Sequence, residues 1–257
     1  MTLLDDLVSS TRARIAELER VVNPDAFDQR IAAAEAPRGF ARSLEGADVA
    51  IVAEIKRRSP AVGDLDPALN PRDLAAAYRA GGAAAISVLT EPDHFGGSME
   101  DLGAAREAGL PVLRKDFILD ELQLLEARAW GADAVLIIVR CVGEELAGLI
   151  DAAATLGMDP LVEIHDEADL ERALDVGARV IGVNHRDLAT FDVDPDRTAK
   201  LAPLVPDDRL LISLSGVATR ADVDALARAG ASAVVVGETL VRAADPAAAL
   251  RALVRRS

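Results

Sequence analysis

The sequence predicts an α/β fold of the (β/α)8 barrel type with extra N-terminal helices, and three observations carry this. Eight short runs rich in β-branched residues recur along the 257 residues, separated by segments with helical spacing. They start roughly 20 to 35 residues apart, the length of one βα unit, and are nearly continuously apolar, as strands of a two-sided parallel sheet are. A repeat also stands before alternate strands: Gly82-Ala83, Gly131-Ala132, Gly177-Ala178 and Gly230-Ala231, spaced 49, 46 and 53 residues apart, about two βα units each. An open doubly wound sheet has the same local signals; eight units in about 250 residues is the arithmetic of the barrel.

Taken in order, residues 1–45 carry apolar positions at helical spacing (Leu4, Leu7, Ile15, Leu18) and read as one or two helices packed on the barrel, within a single domain spanning 1–257. The expected strands are 49–55, 84–89, 111–114, 134–139, 160–164, 179–183, 209–214 and 233–236. Between them the spacing predicts helices over 71–79, 121–130, 144–156, 168–176 and 220–229, with a last one over 245–254. Each Gly-Ala supplies a residue able to end a helix in the left-handed conformation just before the next strand.

Composition narrows the function. With 28 Lys and Arg against 43 Asp and Glu, the net charge is −15, a poor match for nucleic acid. The single cysteine, Cys141, cannot form an intramolecular disulfide, and His94, His165 and His185 have no metal-ligand spacing, so no metal site is expected. The start, Met-Thr-Leu-Leu-Asp-Asp, has no basic segment leading into an apolar stretch, and no run is long enough to span a membrane. A cytoplasmic protein acting on a small molecule, as a monomer or weak homo-oligomer, is the expectation.

In a barrel, the C-terminal ends of the strands face the active site, and several here are charged. The first ends Glu54-Ile55-Lys56, placing both charges on one face; the third ends Arg114-Lys115-Asp116, the fifth Val162-Glu163, and the sixth Asn184-His185-Arg186. Lys56, Lys115 and Glu163 come from alternate strands and are expected around one volume suited to an anionic ligand. The last two strands end Leu214-Ser215-Gly216 and Gly237-Glu238, the recurrent phosphate position of these barrels. Phe95 and Phe117 are candidate aromatic walls. Trp130 reads as core, Cys141 as inert, and Asp93, Asp116 and Asp166 as loop or cap residues; His165 and His185 are expected to point away from the site.

The segments Glu54-Ile55-Lys56-Arg57-Arg58-Ser59-Pro60, Phe95-Gly96-Gly97-Ser98, Lys115-Asp116-Phe117, Leu161-Val162-Glu163 and Val183-Asn184-His185-Arg186-Asp187-Leu188 resemble those of the indole-3-glycerol-phosphate synthase family of tryptophan biosynthesis, in register along the chain. The resemblance implies a TIM barrel that closes the indole ring of 1-(2-carboxyphenylamino)-1-deoxyribulose 5-phosphate with loss of carbon dioxide and water. It thus implies a carboxy-lyase without a cofactor. It implies Lys115 as general acid, Glu163 as the group handling the dehydration, Lys56 as its assistant and Glu54 as orienter of the lysines. Ser59, Asn184 and Arg186 would hold the substrate's polar groups, with Phe95 and Phe117 as hydrophobic walls. Ser215, Gly216, Gly237 and Glu238 would hold the phosphate.

Two positions depart from the family pattern. Ala61 replaces a serine in the first loop, and Leu214 stands where the family has Glu before Ser-Gly. Leu214, at the substrate site, deprives the lysines of a carboxylate neighbour and holds them less firmly for proton transfer. A phosphoribosylanthranilate isomerase-like barrel is the other enzymatic reading, but its cysteine base has no suitable counterpart in Cys141. A barrel that binds the ligand without turning it over is the non-enzymatic reading.

Overall fold

A computed structural model of the chain describes residues 3–22, 24–46, 48–187 and 192–254, so Leu188 of the last motif lies outside the described residues. Eight strands form a closed barrel: β1 (Ala50–Ile55), β2 (Ala85–Leu89), β3 (Val112–Lys115), β4 (Ala134–Ile138), β5 (Asp159–Ile164), β6 (Val180–Asn184), β7 (Leu210–Leu214) and β8 (Ala233–Val236). Each pairs in parallel with its sequence neighbours, and β1 closes on β8 through Ala50–Ala233 to Ala53–Val236. The open-sheet alternative is thereby removed. The four repeat glycines all adopt positive φ, from 75° at Gly177 to 100° at Gly230, where a β-carbon would be strained.

Strand alternation divides the core in two. Val52, Leu113, Leu136, Leu161, Val180 and Ile212 fill the barrel interior, while Ile51, Val135, Val162, Ile181 and Val234 pack outward against the helices. Side chains at 54, 115, 163, 184 and 214 continue the inward rows beyond this apolar filling. Their inward direction is therefore set by the same parity that packs the core.

The structure differs from the expected elements in places where sequence periodicity is too short to register. Beyond β4 the chain turns at once into a helix at Val139–Val142, then a 3-10 turn at Gly143–Glu145 and a helix at Leu146–Thr155, instead of one helix over 144–156. The segment around Phe95, expected as a loop or wall, is the end of the helix Pro92–Phe95, whose first turn is capped by the Glu91 carboxylate. Met99–Arg106 adds a helix between β2 and β3.

Among the described residues the N-terminal extension contains three helices rather than one or two: Leu3–Val21, Pro24–Ala33 and Phe40–Ser43. The first reaches the mouth of the barrel, where Leu7 is fully buried and Arg14 pairs with Asp116 at 3.3 Å. The third plugs the opposite end: Phe40 and Leu44 join the interior core, and the Ala41 N–H donates to Asp159 at the start of β5, at 2.8 Å. No helix among the described residues is long and apolar enough to cross a membrane.

Candidate active site at the barrel mouth

A cavity of about 450 Å³ opens at the C-terminal ends of the strands. Glu54, Lys56 and Ser59 reach it from β1 and the hairpin that follows, Lys115 and Phe117 from β3, and Phe95 from the end of the short helix after β2. Asn184 and Arg186 enter from β6, Leu214, Ser215 and Gly216 from β7, and Gly237 and Glu238 from β8. Residues scattered from 54 to 238 thus share one volume, because each stands just beyond the last inward apolar position of its strand.

Glu54 organises the charge. Its Oε1 accepts from Lys56 Nζ at 2.5 Å and its Oε2 lies 3.8 Å from Lys115 Nζ, so one buried carboxylate faces two ammonium groups. Burial pushes the Glu54 carboxyl up, but Lys56, Lys115 and Arg186 outweigh burial and hold it below the usual carboxylate range. The Tyr78 hydroxyl donates to the Glu54 carbonyl at 3.0 Å from the far side of β1. The absence of a β-carbon at Gly237 makes room for this carboxylate: a β-carbon there would lie 2.5 Å from Glu54 Oε1.

A second set of bonds fixes Asn184. Its Oδ1 accepts from the Ser215 hydroxyl at 2.9 Å and from the Arg186 N–H at 3.0 Å, which directs its Nδ2 to donate to Glu163 Oε1 at 2.9 Å. Ser215 has a φ of 70°, the one non-glycine with positive φ among the described residues, and Gly216 follows at 80°. Strain of this kind persists where the surroundings impose it, and it turns the chain sharply at the mouth.

Glu163 is not on the cavity wall. It is 1% exposed and lies behind Asn184. His165 corrects the sequence reading: it stands two residues after Glu163, hence on the same face, and its Nε2 lies 3.5 Å from Glu163 Oε1 instead of pointing away. His185, one residue from Asn184, does point away, its Nε2 meeting the Thr198 hydroxyl at 2.7 Å. Asp116 is buried among Arg114, Arg14 and the Thr90 hydroxyl, a structural position, and Asp166 caps the helix Glu167–Asp175. Trp130 packs against the outer core and carries Arg30 over its ring. Burial, with Glu163 and Asp169 nearby, pushes the Cys141 thiol up to about 12, consistent with an inert residue.

Several wall residues escaped the sequence reading: Val217, Ala218, Val235 and Thr239 along the last two turns, and, from further away, Leu7 and Arg242. Leu7 arrives from the N-terminal helix, with no signal linking it to the mouth. Arg242 stands one turn after Glu238 and bonds it at 3.0 Å. Its signal was present as a helical i,i+4 charge pair directly behind the Gly237 turn. Leu214 is 1% exposed and packs on Gly182, where an added β-carbon would lie 3.0 Å from Leu214 Cδ1. The arrangement can hold an anion against Lys56, Lys115 and Arg186 and present an ammonium proton to a carbonyl oxygen.

The family profile described as indole-3-glycerol phosphate synthase matches residues 4–253. A protein of that name from Kineococcus radiotolerans is 48% identical, with 99% of this chain and 95% of that protein covered. Another from Nocardioides sp. is 47% identical, covering 98% and 97%. Among solved structures, a 3-hexulose-6-phosphate synthase superposes with a TM-score of 0.62 at 20% identity, over 80% of this chain and 98% of that one, a likeness of fold alone. With the profile spanning nearly the whole barrel and relatives matching from end to end, the chain belongs to the indole-3-glycerol phosphate synthase family.

Proposed function

We propose that the chain closes the indole ring of 1-(2-carboxyphenylamino)-1-deoxyribulose 5-phosphate as a carboxy-lyase, releasing carbon dioxide and water. The observation that supports this best is the single Glu54 carboxylate shared by Lys56 and Lys115 at the barrel mouth. The ring carbon of the anthranilate attacks the ribulose carbonyl, and Lys115 protonates the oxygen as charge builds on it. Lys56 assists, and Glu54 holds both ammonium groups in place. Phe95 and Phe117 flank the aromatic ring, while Ser59, Asn184 and Arg186 bind the substrate's polar groups. The phosphate rests on the turns at Ser215-Gly216 and Gly237-Glu238, with Arg242 beside them. Loss of carbon dioxide is followed by dehydration, in which Glu163 protonates the departing hydroxyl from behind Asn184.

A steady-state assay of indole-product fluorescence on the unsubstituted chain, Lys115→Ala and Leu214→Glu tests this. Turnover that Lys115→Ala abolishes supports the synthase. One observation favours a second reading, a barrel that keeps the ligand without converting it: Leu214 is sealed and apolar, and leaves Glu54 as the carboxylate bonded to Lys56. Binding without turnover, restored by Leu214→Glu, would establish that reading, and absence of binding would remove both.

A further inference from the structure

Beneath the cavity wall lies a chain of ionisable groups that the ring-closure chemistry leaves unused. His165 has a fully buried side chain, with Nε2 3.5 Å from Glu163 Oε1 and Nδ1 3.7 Å from Asp169 Oδ2. Neither ring nitrogen, nor Glu163 Oε2, has a hydrogen-bond partner among the described residues, although all three atoms are buried. Asp169 is well anchored: it accepts from the His165 N–H at 3.0 Å and from Arg140 Nε at 2.9 Å. Arg140 also reaches Asp166 at 2.5 Å and Asp187 at 3.7 Å.

We propose that His165 is a positioning residue for Glu163, holding one proton between its Nε2 and the Glu163 carboxyl, with Asp169 and Arg140 fixing the orientation of the ring. The argument is a count of donors. A neutral imidazole has one donor and one acceptor nitrogen, whereas ionised carboxylates only accept. Burial pushes Asp169 up, but His165, whose N–H bonds it and whose ring lies beside it, and the pairing with Arg140 outweigh burial and hold it below the usual carboxylate range, so Nδ1 turns its hydrogen toward it. Nε2 then faces Glu163 either as a donor to a carboxylate or as an acceptor from a carboxylic acid. In both forms one proton lies on the Nε2–Oε1 axis. Without it, two lone pairs would confront each other at atoms buried from the surface.

The surrounding groups offer no second base for that proton. Asn184 donates to Glu163 Oε1 from β6, Cys141 carries a thiol whose ionisation burial and the carboxylates oppose, and Leu214 on β7 is apolar. The role rests on the proposed dehydration by Glu163. There, one proton leaves the pair with the departing hydroxyl as water, and the hydrogen lost from the neighbouring substrate carbon returns one to it. The pair ends each cycle as it began, and no co-reactant is needed.

The test uses the full chain with 15N-labelled histidine, compared with Glu163→Gln. The expected result is a His165 Nε2 signal of protonated or proton-sharing character that moves toward the bare-nitrogen position in Glu163→Gln, while His94 and His185 stay in place. An unmoved His165 signal overturns the proposal, and this readout does not require turnover. In the kinetic arm, His165→Gln lowers kcat about 10- to 100-fold, keeps KM within about threefold and shifts the pH profile of kcat, and adds little to Glu163→Gln. Impaired Glu163→Gln beside a His165→Gln variant with unchanged kcat and pH profile overturns the role of His165. Full turnover by Glu163→Gln instead overturns the dehydration reading on which it rests.

Discussion

Gly237→Ala isolates the steric requirement at the centre of the site. The residue has a φ of −120°, so alanine meets no left-handed penalty, and the double-mutant cycle separates the contact with its neighbour from any backbone cost at its ψ of −79°. The new β-carbon would stand 2.5 Å from Glu54 Oε1, 3.2 Å from its Cδ and 3.3 Å from its Cβ. Oε1 must therefore retreat by about 0.5 Å or more to reach even a tight contact. That atom accepts from Lys56 at 2.5 Å, and its sister oxygen is 3.8 Å from Lys115, so the retreat shifts both ammonium groups. An off-rotamer Glu54 with a weakened charged hydrogen bond costs about 1–2 kcal/mol, or roughly 2–8 °C in Tm for a chain of this size. Displacement of the lysines on the scale of an ångström lowers kcat about 100-fold. The assay is a double-mutant cycle with Glu54→Ala, read by thermal unfolding and by indole-product fluorescence. Removing the carboxylate removes the clash, so Gly237→Ala adds little to Glu54→Ala. An equal Tm loss in both backgrounds would refute the steric argument.

Three further outcomes are expected. Tyr78→Phe leaves the buried Glu54 carbonyl without its hydroxyl donor and lowers stability by about 1–2 kcal/mol in urea titration, with an unchanged midpoint counting against that bond. Cys141, its thiol raised from 9.0 to about 12, reacts with a disulfide reagent at pH 8 roughly 10³-fold more slowly than an unperturbed thiol, and reaction at the free-thiol rate would show that the native site does not protect it. Acid destabilises the chain in two stages. His185 is lowered by burial and by Arg197, so the unfolded chain takes up more protons once the pH falls through about 6.5. Glu54 and Asp116, held low by their cation partners despite burial, add a steeper loss as the pH drops below about 4.5 and 3.8. Tm measured from pH 8 to pH 3 should stay level down to about pH 6.5, then fall, and fall more steeply below about pH 4.5, and His185→Gln should flatten the upper part of the fall.

Legibility in the sequence followed the length of each pattern. The strands were readable because runs of four to six residues buried on both faces are nearly continuously apolar, and the parity within each run places Glu54, Lys56 and Lys115 at the mouth. Helices of four residues, such as Val139–Val142 and Phe40–Ser43, are about one turn long and give no periodic signal. His165 lies just beyond β5, and counting two residues from Glu163 would have turned it inward. The placement of Glu163 behind Asn184 depends on a side-chain bond between two strands, which no spacing in one strand encodes. Leu7 reaches the mouth through a helix whose path is decided by long-range contacts such as Arg14 with Asp116.

Those long-range contacts also bear on the order of events during synthesis. The segment that plugs the lower end leaves the ribosome early, yet the Asp159 carboxylate that receives the Ala41 N–H is made 118 residues later. At about 5–20 residues per second, Ala41 waits on the order of 6–24 s for the carboxylate it bonds. During that interval Phe40 and Leu44 lack part of the interior core that they later join, a natural landing place for a holdase. The barrel can complete its lower end only after more than half of the chain has been translated.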